Sequence, residues 1–313
     1  MEYRQLGKTD MKVSVLSYGA SALGGVFSGT DDSEGIRAVH ASIDNGINYI
    51  DVSPFYGDTK AETVLGKALK SVPRDKYFLT TKTGRFAKGV FDFSPEAIDK
   101  SLQESLNRLG TDYLDVFQLH DIEYQNRKHL STVINESIPH LQKLKEQGVI
   151  RYYGITSYPI DVFKQVQVEA QVDTMLCHGH YMLSDTMMLD LVPYAQNDGV
   201  GLVAASPLGM GLLTERGVAD WHPATQADKQ CVLEAVKFCK ANGTSLEDLA
   251  LQFSVANPLI PTNLVTSSKS NRMINNIRVS HEKMDEDLVA EVQKILLPIM
   301  NKDFDFAKNC EFM

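Results

Sequence analysis

Short apolar runs alternate with longer stretches of helical periodicity along almost the whole chain. The first two runs, Arg4–Leu6 and Lys12–Val15, flank the turn signal Gly7-Lys8-Thr9-Asp10 and predict a β-hairpin. The later runs predict eight strands, near Leu16–Tyr18, Ile47–Asp51, Tyr77–Thr81, Leu114–Leu119, Ile150–Ile155, Asp173–Cys177, Gly201–Ala205 and Asn263–Thr266.

Helical periodicity fills the intervals between these strands. Ser94-Pro95-Glu96 is typical of a helix start, because a serine cap precedes a proline at the first helical position and an acid in the first turn. The predicted helices are Asp32–Asn45, Ala61–Lys70, Pro95–Leu109, Val133–Gln147, Ile160–Glu169, Thr186–Asn197, Lys229–Ala241 and Leu246–Asn257.

Eight strand–helix units predict an α/β fold, a (β/α)₈ TIM barrel with an N-terminal β-hairpin and extra C-terminal helices. A doubly wound sheet is the alternative. No linker or low-complexity segment divides the chain, so we expect a single domain over residues 1–313. The longest candidate loop, Gly209–Gln226, contains Trp221, and loops of that length are more often functional than idle.

Four polar residues stand where predicted strands end: Asp51, Tyr56, Lys82 and His120. Parallel strands joined by right-handed crossovers place their C-terminal ends at one edge, where the side chains can meet. A lysine beside a tyrosine favours the phenolate and lowers its pKa, which suits the tyrosine for acid–base catalysis near neutral pH. Asp51 would pair with Lys82, and His120 would orient a substrate oxygen.

Composition narrows the possible partners. The net charge is −9, with 31 basic and 40 acidic residues, and no basic stripe is present, so we expect no nucleic acid or membrane partner. The cysteines, Cys177, Cys231, Cys239 and Cys310, have no metal-like spacing and predict free thiols in a reducing compartment. With neither a signal peptide nor a membrane span in the sequence, we expect a cytoplasmic protein acting on a small molecule.

Several motifs carry a resemblance to a known family. Asp51-Val52-Ser53-Pro54-Phe55-Tyr56-Gly57, Thr81-Lys82-Thr83, Leu119-His120 and Gly154-Ile155-Thr156-Ser157 resemble, in order, motifs of the aldo-keto reductases. The resemblance implies an α/β barrel, a nicotinamide cofactor and a catalytic set of Asp51, Tyr56, Lys82 and His120. It also implies cofactor contacts at Gly19, Ala20, Asp51, Ser157, Ser206, Leu208, Arg272 and Asn276.

A narrower resemblance links His120-Asp121-Ile122-Glu123, His180-Tyr181 and Trp221-His222-Pro223-Ala224 to the L-galactose and L-fucose dehydrogenases. It implies oxidation of an L-galacto-configured aldose at C1 to the lactone, with hydride passing to the cofactor and Tyr56 taking the hydroxyl proton. The implied substrate contacts are Tyr56, His120, Asp121, His180 and Trp221.

The chain departs from the family pattern in three places. Ala205 stands where many members stack an aromatic ring on the nicotinamide, and no glutamine or asparagine is evident near Leu176–Cys177. Thr266 replaces a lysine common in NADP-preferring members, although Arg272 keeps the basic position. We therefore expect NAD, with NADP as the alternative.

Other readings of the sequence remain open. His178-Gly179-His180 places two histidines on one strand face, as some zinc sites do, but no further ligand pattern supports it and we expect no metal. The rival functions are an NADPH-dependent reductase of aldehydes or ketones and a regulatory nicotinamide-binding subunit with little turnover. The sequence does not predict the oligomeric state.

Overall fold

Eight parallel strands close into a barrel in the computed structural model, which describes residues 1–26, 29–304 and 306. Around the barrel the order is β3, β4, β5, β8, β9, β10, β11, β12 and back to β3. The strands are β1 Tyr3–Gln5, β2 Lys12–Ser14, β3 Leu16–Gly19, β4 Tyr49–Asp51, β5 Phe78–Thr83, β6 Arg85–Ala87, β7 Val90–Phe91, β8 Leu114–Leu119, β9 Ile150–Ser157, β10 Thr174–His178, β11 Gly201–Ala205 and β12 Thr262–Thr266. The predicted TIM barrel and its hairpin are confirmed.

Helices follow the barrel strands. The α-helices are α1 Asp32–Asp44, α2 Lys60–Leu69, α3 Pro95–Leu109, α4 Tyr124–Arg127, α5 Leu130–Thr132, α6 Ile138–Glu146, α7 Ile160–Glu169, α8 Val192–Asp198, α9 Gln226–Ala241, α10 Leu246–Ala256, α11 Ser270–Ser280 and α12 Glu286–Leu296. Short 3₁₀ turns occupy Ala20–Gly24, Arg74–Lys76, Met187–Leu191, Gly209–Gly211 and Leu297–Ile299, and Val133–Ser137 forms a π-turn.

Two local features differ from the predicted elements. The helix predicted over Val133–Gln147 opens with the π-turn and continues as α6, whose second residue is Pro139. Proline has no N–H for the regular i→i−4 bond, so the α pattern cannot run through this point unbroken. The small antiparallel pair β6–β7, which follows β5, was not predicted because its strands are too short to show periodicity.

The β1–β2 hairpin covers the N-terminal end of the barrel. Leu6, Met11 and Val13 are fully buried against residues from the barrel interior, among them Tyr49 and Val116. Arg4 joins the hairpin to the end of α10 and the segment that follows it. Its guanidinium donates to the carbonyls of Val255 (2.8 Å), Asn257 (2.8 Å) and Ile260 (3.1 Å). One end of the barrel is therefore closed, and the C-terminal strand ends form the open end.

Three of the cysteines lie among the described residues. Cys177, Cys231 and Cys239 are free thiols, whereas Cys310 lies outside the described residues. Across residues 1–26, 29–304 and 306, no helix has the length and apolar character needed to cross a bilayer.

Candidate active site

The ammonium of Lys82 lies at the centre of the open barrel end. It is 1% exposed and donates hydrogen bonds to Asp51 Oδ1, to the Val52 carbonyl at 2.9 Å and to the Tyr56 hydroxyl at 3.2 Å. The three predicted residues come from β4, the turn after it and β5, as the strand-end argument requires. The ammonium therefore links a buried carboxylate to a phenol that lies partly open to solvent.

Two polar residues that the sequence argument missed hold Asp51 in place. Its Oδ2 accepts hydrogen bonds from Thr80 Oγ1 at 2.6 Å and from Gln118 Nε2 at 2.9 Å. All three residues are buried within the barrel. With Lys82 on Oδ1, both carboxylate oxygens are satisfied, which fixes the rotamer of Asp51 and with it the position of the ammonium.

Tyr56 is positioned by a close approach of two backbone segments. A Cβ on Gly24 would lie 2.5 Å from the Tyr56 carbonyl oxygen, and one on Gly57 would lie 2.1 Å from the Gly24 carbonyl oxygen. Gly57 also has a left-handed backbone, with φ at +64°. Only glycine fits both restraints. Gly24 and Gly57 therefore set how closely the turn that carries Tyr56, the tyrosine turn, packs against the segment after β3.

Lys82 acts on the pKa of Tyr56 in the predicted direction, but burial of the phenol outweighs it. Burial raises the pKa of Tyr56, Lys82 lowers it, and Asp51 and Asp121 raise it again, so the net value is above that of free tyrosine. Burial also opposes the charge of Lys82, but Asp51 and Tyr56 outweigh that effect and raise the pKa of Lys82. The ammonium thus stays charged while the phenol keeps its proton at neutral pH.

His120 lies across the site from Tyr56. The two rings are perpendicular, with centroids 5.6 Å apart. Burial is the main reason that the pKa of His120 lies well below its ordinary value, so the imidazole is neutral at neutral pH. Ser53 Oγ accepts a hydrogen bond from the Phe55 N–H (3.1 Å) and lies 3.0 Å from His120 Nδ1. Asp121 Oδ2 lies 3.6 Å from Nε2, and that negative charge favours the tautomer with the proton on Nε2, in which Ser53 donates to Nδ1.

Charged residues flank His120 on the side of β9 and β10. Asp121 is 6% exposed and forms an ion pair with Arg85, another residue that sequence reasoning missed. Glu123 accepts hydrogen bonds from Ser157 Oγ (2.9 Å) and the Tyr158 N–H (3.0 Å). Burial, followed by the neighbouring Asp121, raises the pKa of Glu123 to about 8.

The structure separates the two histidines that follow β10. His180 is 3% exposed, its Nδ1 lies 2.9 Å from Asp185 Oδ2, and its ring packs 4.1 Å from that of Tyr158. His178 is half-buried. Burial is the main reason that its pKa falls to about 4, and the charges of Asp121 and Lys82 also affect that pKa. His178 is therefore the histidine affected by the charge of Lys82, a member of the predicted catalytic tetrad of Asp51, Tyr56, Lys82 and His120. The substrate contact expected at His180 remains a prediction.

Trp221 lies on the loop before α9 and packs on the apolar cluster that includes Phe304 and Phe306. Its substrate contact also remains a prediction. In the part of the chain that the structure describes, no group of three or more His, Cys, Asp or Glu side chains is arranged to hold a metal ion.

The segments expected to hold the cofactor border the tetrad. Gly19 pairs in register with Asp51 on one side and Thr266 on the other, and Ala20 begins the next turn. Ser157 ends β9, while Ser206 and Leu208 follow β11. Arg272 and Asn276 lie on α11, with Arg272 exposed in its first turn. The expected contacts thus surround one side of the open barrel end.

These segments fit an anionic dinucleotide. After β11, Ser206, Gly209, Met210 and Gly211 have positive φ values of 65°, 56°, 52° and 103°, a backbone form common in anion-binding concavities. The exposed Lys269 and Arg272 add positive charge near the start of α11, where the Ser270 N–H already donates to Glu34. Backbone donors and cations are the groups that a diphosphate requires.

Comparison with known proteins gives a consistent result. Residues 15–297 match the model of the aldo/keto reductase family. The chain is 43% identical to L-galactose dehydrogenase of Arabidopsis thaliana, over 96% of each chain. It is 31% identical to D-arabinose 1-dehydrogenase of Saccharomyces cerevisiae, over 72% of this chain and 71% of the relative. An aldo-keto reductase from Bacillus halodurans, solved in its holo form, superimposes with a TM-score of 0.80 at 28% identity, covering 97% of each chain.

Proposed function

The chain belongs to the aldo/keto reductase family and is an NAD(P)-dependent oxidoreductase, and from that premise we propose that it oxidises an L-galacto-configured aldose at C1 to the lactone. L-Galactose and L-fucose are the candidate sugars. The observation that carries the acid–base assignment is the 3.2 Å contact between Lys82 Nζ and the Tyr56 hydroxyl. Similarity to L-galactose dehydrogenase over 96% of the chain supports the choice of substrate.

In the proposed reaction, Tyr56 accepts the proton of the C1 hydroxyl. The phenolate is the form of Tyr56 that accepts this proton, so the positive charge of Lys82 favours oxidation by stabilising the phenolate, and Asp51 keeps that charge in place. His120 Nε2 donates to the same substrate oxygen and so fixes which face of C1 is presented. A nicotinamide bound beside the strand ends would supply the hydride acceptor for C1.

We propose NAD as the preferred cofactor, because a carboxylate already occupies the start of α11. Glu34 Oε1 accepts hydrogen bonds from the Ser270 N–H (2.8 Å) and the Ser270 hydroxyl (2.9 Å). Those bonds and the neighbouring Arg37 lower the pKa of Glu34 to about 2, so the group is anionic at neutral pH. An additional phosphate at this helix end would meet a negative charge, whereas ribose hydroxyls could donate to it.

A binding experiment tests the cofactor proposal without requiring turnover. We expect wild-type protein to bind NADH more tightly than NADPH in fluorescence titrations, and Glu34→Gln to reduce that preference by about 10-fold. Glu286→Gln, which changes an exposed acid in the first turn of α12, is the matched control and should leave the ratio unchanged. Equal binding of the two cofactors by wild-type protein would contradict the proposal.

A substrate screen tests the activity. NADH formation should be faster with L-galactose and L-fucose than with D-arabinose, as judged by kcat/KM. Faster reduction of simple aldehydes with NADPH than oxidation of any sugar would instead identify a carbonyl reductase. Tight cofactor binding with no turnover of any of these compounds would identify a regulatory subunit.

A further inference from the structure

Asp121, the residue after His120, is held in an unusual position. Its backbone is left-handed, with φ at +53°, a conformation that few residues other than glycine, asparagine and aspartate adopt. Thr156 stabilises it, because Thr156 Oγ1 accepts from the Asp121 N–H at 2.9 Å and lies 3.1 Å from Asp121 Oδ1. This arrangement turns the carboxylate back towards His120, and Asp121 Oδ2 lies 3.6 Å from His120 Nε2.

Arg85 fixes the same carboxylate from the other side. Its Nη1 donates to Asp121 Oδ2, and its side chain is 5% exposed. The guanidinium lies over the rings of Phe55 (3.8 Å to the centroid) and Tyr124 (4.5 Å). Burial favours the protonated acid, but the neighbouring histidines and Arg85 outweigh it, so the pKa of Asp121 lies below its ordinary value and the group is a carboxylate.

His120 and Asp121 therefore present a donor and an acceptor side by side. A distance of 3.6 Å is too long for a direct hydrogen bond between them, so each remains able to bind a ligand oxygen. The substrate oxygen that Tyr56 and His120 bind is attached to the reacting carbon. Oxygens on adjacent carbons are about one hydrogen-bond length apart, which brings the next hydroxyl to Asp121 Oδ2. A carboxylate accepts but cannot donate, so it binds a hydroxyl in preference to a carbonyl or a methylene.

We propose that Asp121, held by Arg85, binds the hydroxyl on the carbon adjacent to the reacting carbon. The enzyme then selects α-hydroxy aldehydes and aldoses with a free C2 hydroxyl over their 2-deoxy counterparts. This inference rests on the proposed oxidoreductase function and adds the chemical feature that the site recognises. Arg85 is a positioning residue, because it acts on the substrate through Asp121.

Matched substrate pairs on the wild-type enzyme give the first test. Glycolaldehyde and propanal have the same number of heavy atoms. Glycolaldehyde carries a terminal hydroxyl where propanal carries a methyl group. We expect kcat/KM for reduction to favour glycolaldehyde by about 30-fold, the usual effect of a hydrogen bond to a charged group. Oxidation of L-galactose should exceed that of 2-deoxy-L-galactose by a similar factor. A preference below about 3-fold in both pairs would overturn the inference.

Variants then assign the preference to Asp121. Asp121→Asn keeps the shape of the side chain and should reduce both preferences to about 3-fold or less, mainly through KM for the hydroxylated partner. Arg85→Lys keeps the positive charge and should retain more of the preference than Arg85→Met. Asp161→Asn removes an exposed acid paired with Arg127 and should leave both ratios unchanged. Full preference in Asp121→Asn would exclude Asp121 as the recognising group.

The two substrate pairs also separate this inference from the proposed sugar. If no aldose is oxidised but the glycolaldehyde preference is present and lost in Asp121→Asn, the inference holds and the sugar assignment fails. If L-galactose is oxidised but neither L-galactose nor glycolaldehyde is preferred over the compound paired with it, the sugar assignment holds and the inference fails.

Discussion

At the residue scale, we expect turnover to depend most strongly on the Tyr56 hydroxyl, the proposed proton acceptor. Tyr56→Phe removes the proton acceptor and should lower kcat/KM by about 10³-fold, within the usual range for loss of a general acid–base group. Affinity for NADH, measured by fluorescence titration, should change by less than about 2-fold.

Tyr194→Phe is the matched control for this variant. Tyr194 lies on α8, on the outside of the barrel, and is half-buried. Removing that hydroxyl should leave kcat/KM unchanged. If Tyr56→Phe retained wild-type turnover, Tyr56 would have no acid–base role.

The raised pKa of Tyr56 predicts how the two reaction directions depend on pH. Oxidation needs the phenolate, so kcat/KM should increase with pH from about 7 to about 10 without a plateau. Reduction needs the phenol, which is protonated throughout this range, so its rate should be nearly flat. Lys82→Met removes the charge that favours the phenolate and should slow oxidation at every pH. A plateau in oxidation below pH 8 would mean that the phenolate forms more easily than this site allows.

The tetrad could be predicted from residue type and position, because strand ends and side-chain chemistry are visible in the sequence. Thr80 and Gln118 were missed, yet each lies two residues before a tetrad member, Lys82 and His120 respectively. In a strand, residues two apart share a face, so this spacing was a usable signal. Arg85 gave no comparable signal, because its role depends on the short hairpin that brings it to Asp121.

At the scale of elements, the contact between Gly24 and Gly57 joins the segments after β3 and β4. Gly57→Ala would place a Cβ 2.1 Å from the Gly24 carbonyl oxygen in a backbone with φ at +64°. We expect a loss of about 3 kcal/mol in the free energy of unfolding, measured with urea, and a fall in kcat as Tyr56 is displaced.

Gly110→Ala separates steric clash from backbone strain. Gly110 ends α3 with φ at +70°, but an added Cβ there would have no neighbour within 4 Å. This variant should lose only about 1 kcal/mol of unfolding free energy and keep full activity. Similar losses in the two variants would show that the Gly24 contact does not position the tyrosine turn.

The barrel elements were predictable where length and periodicity agreed. Leu114–Leu119, Gly201–Ala205, Pro95–Leu109 and Ile160–Glu169 have the predicted bounds, since clear caps or turn residues flank each one. The bounds of Val133–Gln147 differ because Pro139 interrupts the backbone pattern, an effect that side-chain periodicity does not show.

At the scale of the whole molecule, the raised pKa of Glu123 predicts how the free energy of unfolding depends on pH. Its folded pKa of about 8 exceeds the ordinary carboxyl value of 4.5, so its contribution is fully present below pH 4.5 and is lost as pH rises through 8. Between pH 6 and 9, wild-type protein should lose about 2 kcal/mol more unfolding free energy than Glu123→Gln. Urea denaturation of both proteins at the two pH values measures the difference, and comparing the variants cancels the histidine contributions. Parallel losses would mean that Glu123 is ionised in the folded protein at neutral pH.

Arg4 also constrains when the molecule can finish folding during synthesis. Its three carbonyl partners lie between Val255 and Ile260, so the hairpin, which is synthesised first, gains these bonds only after a much later segment has been made. Until that stretch emerges, the nascent hairpin lacks its anchor and Leu6, Met11 and Val13 lack their full apolar surroundings. More than four-fifths of the chain must therefore be synthesised before the hairpin can close the N-terminal end of the barrel. A chain stalled earlier would expose apolar surfaces of the kind that chaperones bind.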